Sequence, residues 1–520
     1  MLQSKDITLH LMVFASVFGC MPCMASPKVV ATGWDIACTP AAKIVEQSNR
    51  FAKVGFDGIN FKFGFDDIEL EGGGTAEDGC PCNGGVWSRK SLERFVPVFQ
   101  AAMGKDCFKY SFAGFHFAPK RRLDWRDDKK WRDFAANMRT VAGVVKAGGL
   151  KGLFLDTEDY WKQCQYVHRP KDGTFDEIAT LARRRGAEVF RGVFEEFPDI
   201  TILTYWWLSF MREYAASYDL AADVRGYGDL LPAFTDGILD VMPDTVTFVD
   251  GNEYTYHGGY ERNYVAQWHE YAGLVSPENR RKYRTCFRPG CAIYLDMFTN
   301  PQFKPDGTRH PWYVAPSGGS RLNALMDRLE SALQYSDGYV WVYGERRSFA
   351  DWRDVQIPRG WEDAFTNGTW ETSLPGFAEQ LRILRNPREE LTHRLDMLLK
   401  AGKAVNVASV MDRANPYSVR MKMDGVRHGE WYAFRVEVRS EHPWVWIHPL
   451  VKGCRDWGQR QDHVTLEPPD GKGVRRGVGF ARVRGNTTGF EVECSYNHNI
   501  KTKIEVLSLE AYRVYVPGKE

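Results

Sequence analysis

A surplus of one charge is what this chain of 520 residues most plainly lacks: 68 Lys and Arg stand against 67 Asp and Glu, a net charge of +1, with no basic run and no acidic tail. Nucleic acid is therefore not the expected partner, because it demands a concentrated basic face. Long apolar runs are missing too. The stretch Ile7–Gly19 near the start is too short to span a bilayer. Histidine is scarce, at 12, and no His-x-His or His-x-x-x-His stands at the end of an expected strand, which argues against a binuclear metallohydrolase. Gly-x-Ser-x-Gly does not occur, so a nucleophile elbow is excluded. No Gly-rich phosphate turn follows the first expected strand, where Gly33-Trp34-Asp35 stands instead. Neither a metal nor another cofactor is expected.

Aromatics, by contrast, are plentiful, at 14% of residues with 17 Trp and 23 Tyr. A large core takes up many of them, and others are available to line a groove. Lys5, the apolar run Ile7–Gly19 and the small residues of Cys23-Met24-Ala25 have the form of an export signal cleaved after Ala25. An imperfect lipobox, Val17-Phe18-Gly19-Cys20, gives the alternative of a lipid anchor at Cys20. The expected location is secreted or periplasmic, or, with the anchor, the outer membrane. Of 11 Cys, Cys20 and Cys23 fall in this segment. Export permits disulfides among the rest, with Cys454 and Cys494 a candidate pair. Cys80-Pro81-Cys82 is too tight for an easy internal bridge and has no second half at zinc spacing, which leaves a loop bridge or free thiols.

From Val29 to about Lys400 short apolar runs alternate with amphipathic ones, the pattern of βα units around a parallel sheet. The expected strands are Val29–Ala37, Gly58–Phe65, Tyr110–Ala118, Gly152–Asp159, Ile200–Ser209, Thr245–Asp250, Ala292–Phe298 and Gly338–Tyr343. Helical periodicity predicts Pro40–Val54, Leu92–Met103 behind a Ser88 cap, Trp131–Ala147, Asp176–Phe197, Tyr264–Val275 and Arg321–Tyr335. The expected fold is α/β, a (β/α)8 TIM barrel over 26–402, with Gly-rich and Pro-rich loops at 66–87 and 299–320. After Lys403 the pattern becomes short alternating runs: Trp431–Val438, Trp444–Leu450, Val478–Val483, Gly489–Ser495 and Lys503–Val516. These predict an antiparallel β-sandwich over 403–520. Trp431, Trp444, Trp446 and Trp457 there serve either as sugar-stacking faces or as packing, with packing the favoured reading.

The candidate site lies at the strand ends. Strand one ends at Asp35, strand two at Lys62 and strand three at His116. Strand four supplies Asp156 and Glu158, which alternation places on one side. Strand five brings Tyr205, Trp206 and Trp207; strand six ends in Asp250-Gly251-Asn252-Glu253-Tyr254; strand seven holds Tyr294 and Asp296; strand eight gives Tyr343 and Glu345. A barrel core is filled by apolar layers, and its active site lies at the carboxyl ends of its strands. Carboxylates among aromatics are the groups that glycoside hydrolysis uses: one protonated acid, and one ionised nucleophile or base.

Leu155-Asp156-Thr157-Glu158-Asp159-Tyr160 resembles the strand-four Leu-Asp-x-Glu-x-Tyr signature of little-characterised secreted bacterial families among the clan A-type (β/α)8 glycoside hydrolases. Leu230–Phe234, Val249–Tyr254 and Tyr339–Glu345 add to the likeness. The resemblance implies a secreted enzyme acting on an oligo- or polysaccharide, with Glu158 as general acid/base and Asp156 tuning or orienting it. In that clan the acid/base usually follows Asn, here Thr157, and a strand-seven Glu is the nucleophile, where this chain offers Asp296. The nucleophile or base is thus left among Asp296, Glu253 and Glu345. Trp206, Trp207, Tyr294 and Tyr343 would line the site, with Asp35, Lys62, His116 and Asp250 binding hydroxyls. Asp156-Thr157-Glu158 is also similar to the strand-four end of family 18 chitinase-like barrels, in which the substrate's acetamide attacks; the strand-eight Trp expected there has its counterpart in Trp341. The remaining alternative is a non-catalytic carbohydrate-binding protein whose rim acids are tied up by arginine, and Arg346 and Arg347 directly follow Glu345. The oligomeric state is not legible in the sequence.

Overall fold

The structure, a computed structural model, describes residues 26–517 apart from 63–67, 77–78, 212–218, 260, 353–354, 356, 358, 361, 363–364, 366, 408–409, 416–417, 424, 453, 456–461, 486, 494, 498–499 and 502–503. The expected export signal with Cys20, the end of the second expected strand, Trp457 and Cys494 therefore lie outside the described residues.

The barrel strands are β1 (Lys28–Gly33), β2 (Gly58–Lys62), β3 (Phe112–His116), β4 (Gly152–Asp156), β5 (Thr201–Thr204), β6 (Thr247–Asp250), β7 (Phe287–Pro289), β8 (Cys291–Tyr294) and β9 (Tyr339–Gly344). They form one sheet in the order β7-β6-β5-β4-β3-β2-β1-β9-β8, and every pairing is parallel. Runs such as Val29-Val30-Ala31 and Leu153-Phe154-Leu155 are apolar on consecutive residues and buried, as strands covered on both faces require. The seventh barrel strand is broken. Pro289 lacks an N–H for the ladder, and the next N–H, of Gly290, turns back to the Asp250 carbonyl at 2.8 Å. Its first half, β7, pairs with β6, and its second half, β8, pairs with β9. The ring thus closes through the break as a (β/α)8 barrel. Flanking helices include Asp128–Gly148, Phe175–Glu196, with a Thr174/Glu177 capping box, and Arg321–Tyr335, capped by Ser320.

Several strands are shorter than the apolar runs suggest, and each has a local cause. The run Ile200–Ser209 is strand only to Thr204, because the buried Asp250 carboxylate captures the N–H groups of Trp207 and Ser209. The run from Val29 stops at Gly33 and turns into the helix Trp34–Cys38. The run from Ala292 passes into a 3-10 turn at Leu295–Phe298, with Asp296 O accepting from Thr299 and Asn300.

The C-terminal residues form separate antiparallel sheets. One orders Val410–Asn415, Ser418–Lys422, Thr487–Glu493, Trp444–Val451 and Cys454–Arg455, with Asp462–Thr465 also on Trp444–Val451; the other orders Arg475–Arg482, Trp431–Arg439 and Glu505–Tyr515. Val445 and Ile447 enter their shared core with Phe434 and Phe490. Trp444 and Trp446 therefore lie on the other face of the strand, half-buried and in ring contact with His463 at 5.7 and 4.8 Å, so these two are not part of the sandwich core. Against the barrel, Arg482 and Arg484 reach Asp327 and Glu330 of the helix Arg321–Tyr335. No helix among the described residues is long and apolar enough to cross a membrane.

Candidate active site

Parallel register brings the strand-end side chains together. His116 of β3 lies opposite Asp156 of β4, and its Nε2 is 2.8 Å from Asp156 Oδ2. Lys62 at the end of β2 brings Nζ to 3.8 Å from the same oxygen. The other Asp156 oxygen accepts from the Glu158 N–H at 3.2 Å. With its side chain 5% exposed, Asp156 is a clamped carboxylate, and two cationic or potentially cationic groups hold its charge.

Glu158 sits beyond this clamp, with a carboxylate oxygen accepting from the Tyr160 hydroxyl. Burial, first, and then the neighbouring Asp156 charge push its carboxyl up to about 7. Tyr160 and His116 pull the other way, because both favour the charged form. Glu253 opens the 3-10 turn Glu253–His257 that follows β6. Its carboxyl is pushed up to about 8, by burial, then by the charges of Glu158 and Asp156. Gly251 makes this turn possible: a Cβ there would lie 2.0 Å from Thr204 O and 2.5 Å from Trp341 Nε1. Glu158 and Glu253 line one cavity of ≈ 550 Å³, together with Trp206, Phe210, Phe117 and Leu231.

Glu345, just past β9, is also raised by burial, while the Tyr294 hydroxyl, Arg346 and the Tyr343 hydroxyl favour its ionised form. Its charge acts on Glu158, which places it by the same mouth. Arg347 turns away, to Thr299 Oγ1 at 2.9 Å and over the Trp370 ring.

Four sequence-predicted residues are corrected. Asp35 is fully buried and accepts from Phe349 N at 2.7 Å and Trp352 Nε1 at 2.9 Å, so it braces the chain after β9 and binds no substrate hydroxyl. Asp250 is likewise fully buried, accepting from Trp207 N, Ser209 N and Ser209 Oγ. Asp296 is fully buried and accepts from Glu345 N at 2.8 Å; it positions the Glu345 backbone and is removed as a nucleophile. Trp207 is 1% exposed, with its indole N–H on Thr235 and its ring against Phe117 and Phe248, so it is a packed ring in the cavity wall with little surface of its own to stack on. Trp341 is buried beneath Tyr205, stacked at 4.5 Å, and donates to Gly251 O. Lys62, His116, Asp156, Glu158, Trp206, Glu253, Tyr294, Tyr343 and Glu345 do gather at the mouth.

Sequence reasoning missed Tyr160 and Phe210 as site residues. Tyr160 stands two residues from Glu158, which was a signal. Phe210 stacks on Trp206 at 4.4 Å from four residues along the chain, beyond the strand, and only the turn forced by Asp250 brings them together.

Fold and mouth thus define a (β/α)8-barrel protein with carboxylates at its strand ends and antiparallel sheets behind. No family model matches the chain, and no curated protein is significantly similar to it. Solved structures similar to it include the 3-keto-D-glucoside 4-epimerase YcjR from E. coli, at 14% identity over 68% of this chain and 98% of that one, with a TM-score of 0.32. The GH36 alpha-galactosidase AgaA from Geobacillus stearothermophilus is similar at 11% identity over 90% of this chain and 55% of that one, with a TM-score of 0.32. GH5_18 from Streptomyces cattleya, in complex with GlcNAc, is similar at 11% over 70% and 81%, with a TM-score of 0.35. Likeness at this level carries no argument about activity.

Proposed function

We propose that the protein is a glycoside hydrolase in which Glu253 and Glu158 divide the acid and base work. The observation that carries this reading is their shared cavity and mutual charge. Two carboxyls that repel each other in a partly buried site do not ionise together, so the pair holds one proton near neutral pH. That proton belongs on Glu253, on which burial, Glu158 and Asp156 all act to raise the pKa. Glu158 is the ionised partner, since Tyr160 donates to it and His116 lies beside it. This reverses the role that the family resemblance implies for Glu158. Glu253 protonates the leaving oxygen, and Glu158 attacks the anomeric carbon or activates water. Asp156, held by Lys62 and His116, supplies the fixed negative charge that keeps the Glu253 proton in place. Glu345, with two tyrosine hydroxyls on it, is suited to gripping sugar hydroxyls beside the reacting bond.

The groups that act on Glu158 are Asp156, Tyr160, His116 and Glu345, and those that act on Glu253 are Glu158 and Asp156; no arginine is among them, which favours an enzyme over a binding protein with arginine-neutralised acids. An export signal before Ser26 belongs to the same proposal and would put the enzyme outside the cytoplasm. A panel of nitrophenyl glycosides and polysaccharides tests the activity. Turnover that vanishes in Glu253→Gln and in Glu158→Gln supports the reading, and full turnover in either variant overturns the assignment.

A further inference from the structure

The cavity that Glu158 and Glu253 share is walled mainly by apolar side chains. They include Phe117, Pro119, Trp206, Phe210, Met211 and Leu231. Lys162 and Asp229 also line it, and three further polar residues of the lining are committed to the chain. Gln165 accepts from Leu123 N at 2.7 Å and donates to Leu123 O at 3.2 Å. Asp159 takes the N–H groups of Gln163 and Cys164 at 3.0 and 2.6 Å, and the Thr157 hydroxyl donates to Trp206 O at 2.9 Å. A second hexose against the apolar walls would leave most of its hydroxyls without partners, a cost that an apolar group does not incur.

The rim of the same wall is an aromatic row. Trp206 and Phe210 stack at 4.4 Å, and Phe210 and Tyr254 at 6.1 Å with an interplanar angle of 23°. Phe210 is 50% exposed although it is a large hydrophobe. Phe210 is the middle ring of this row, and it lines the cavity beside Trp206; a half-exposed ring in an apolar wall offers contact to another flat apolar group.

From these walls we infer that the apolar half of the cavity is a leaving-group subsite for an aromatic aglycone, a phenol joined to the sugar through the oxygen that Glu253 protonates. The inference rests on the hydrolase reading for the bond that is cut. Water adds to the anomeric carbon and gives up a proton to Glu158, the bond from that carbon to the phenolic oxygen breaks, and the oxygen leaves with the Glu253 proton as a neutral phenol. Phe210 and Trp206 act as specificity residues that touch only the ring.

Free 4-nitrophenol, titrated into the full chain by calorimetry, is the probe. One saturable site is expected, weakened about five-fold in Phe210→Ala, the loss of one aromatic contact. Phe303→Ala, which removes an equally exposed ring elsewhere, should leave the affinity as it is, and excess glucose should not displace the phenol. Absence of saturable binding, equal affinity in Phe210→Ala, or displacement by glucose would each overturn the subsite. The hydrolase reading fails separately, through a protein that binds the phenol at this site and cleaves no glycoside.

Discussion

Glu253 and Glu493 are the same side chain in partly buried positions, one at the barrel mouth and one in the C-terminal sheet, and their carboxyls move in opposite directions. Burial raises both. At Glu253 the neighbours Glu158 and Asp156 add to that rise, to about 8. At Glu493 burial is outweighed by His448 and Arg455, which hold the carboxyl at about 2. Glu491 beside it is gripped by Arg455 at 3.0 and 2.9 Å, and Asp327, where the sheets meet the barrel, is lowered to about 2 by His428 and Arg482 despite its burial. The sheet and interface acids are neutralised by partners and serve the fold. The mouth acids are grouped with one another, an arrangement that costs stability and is the kind from which the proposed acid and base are drawn.

Exchange of the carboxyl for an amide separates the two regions most sharply. Glu253→Gln and Glu158→Gln should each lower kcat about 1,000-fold, within the usual range for loss of an acid or base, while the melting temperature holds or rises because a poorly compensated buried acid has gone. Glu493→Gln should do the reverse, lowering the melting temperature and leaving kcat unchanged. Thermal melts and single-substrate kinetics on the three variants test this, and a melting loss at Glu253 equal to that at Glu493 would erase the distinction.

The interface gives the next largest effect. Arg482 is almost fully buried and ion-paired with Asp327 and with Glu330, at 3.5 Å from the latter. Arg482→Ala removes one partner of these acids and leaves them Arg484 and His428, so the loss should fall below the about 3–5 kcal/mol of a buried pair wholly broken. Urea unfolding should show that loss, with kcat per folded molecule unchanged.

The barrel and the later sheets were legible in the sequence because apolar runs and amphipathic runs alternate at different periods, and neither signal needs tertiary knowledge. The helix Arg321–Tyr335 falls at its expected ends because Ser320 caps it and Ser336 follows in extended backbone. The break in the seventh strand was not legible, since Phe287-Arg288-Pro289 is too short to register as periodic. Within the site, the strand-end rule collected Lys62, His116, Asp156, Glu158, Glu253 and Glu345. It also collected Asp35, Asp250 and Asp296, because a carboxylate that caps backbone N–H groups and one that faces the cavity look alike in sequence. Only the positions of Phe349, Ser209 and Glu345 distinguish them.

The pH profile of kcat/KM follows from the mouth alone. Glu158 must be ionised, so activity falls as pH drops through about 7. Glu253 must be protonated, so activity falls again as pH rises through about 8. The result is a narrow bell whose limbs belong to the pair. A carboxylate held like Glu493 would instead give activity flat to pH values far below neutrality, and a plateau of that kind would remove Glu158 from the base role.

Tyr160→Phe makes the smallest change and tests the coupling itself. The Tyr160 hydroxyl donates to Glu158 and so favours the charged carboxyl; without it the Glu158 pKa rises. The ring is 54% exposed, and water replaces part of what the hydroxyl supplied, so the rise should be below about one unit, or about 1.4 kcal/mol. The acid limb then moves toward higher pH. Glu253 gives up its proton opposite a Glu158 that is already ionised, so the alkaline limb stays in place or moves slightly toward higher pH, while more of the pair's single proton sits on Glu158. The bell should therefore narrow from its acid side, with kcat at its centre reduced only a few-fold. An acid limb that did not move would mean that the limb belongs to another group of the mouth and would remove Glu158 from the base role.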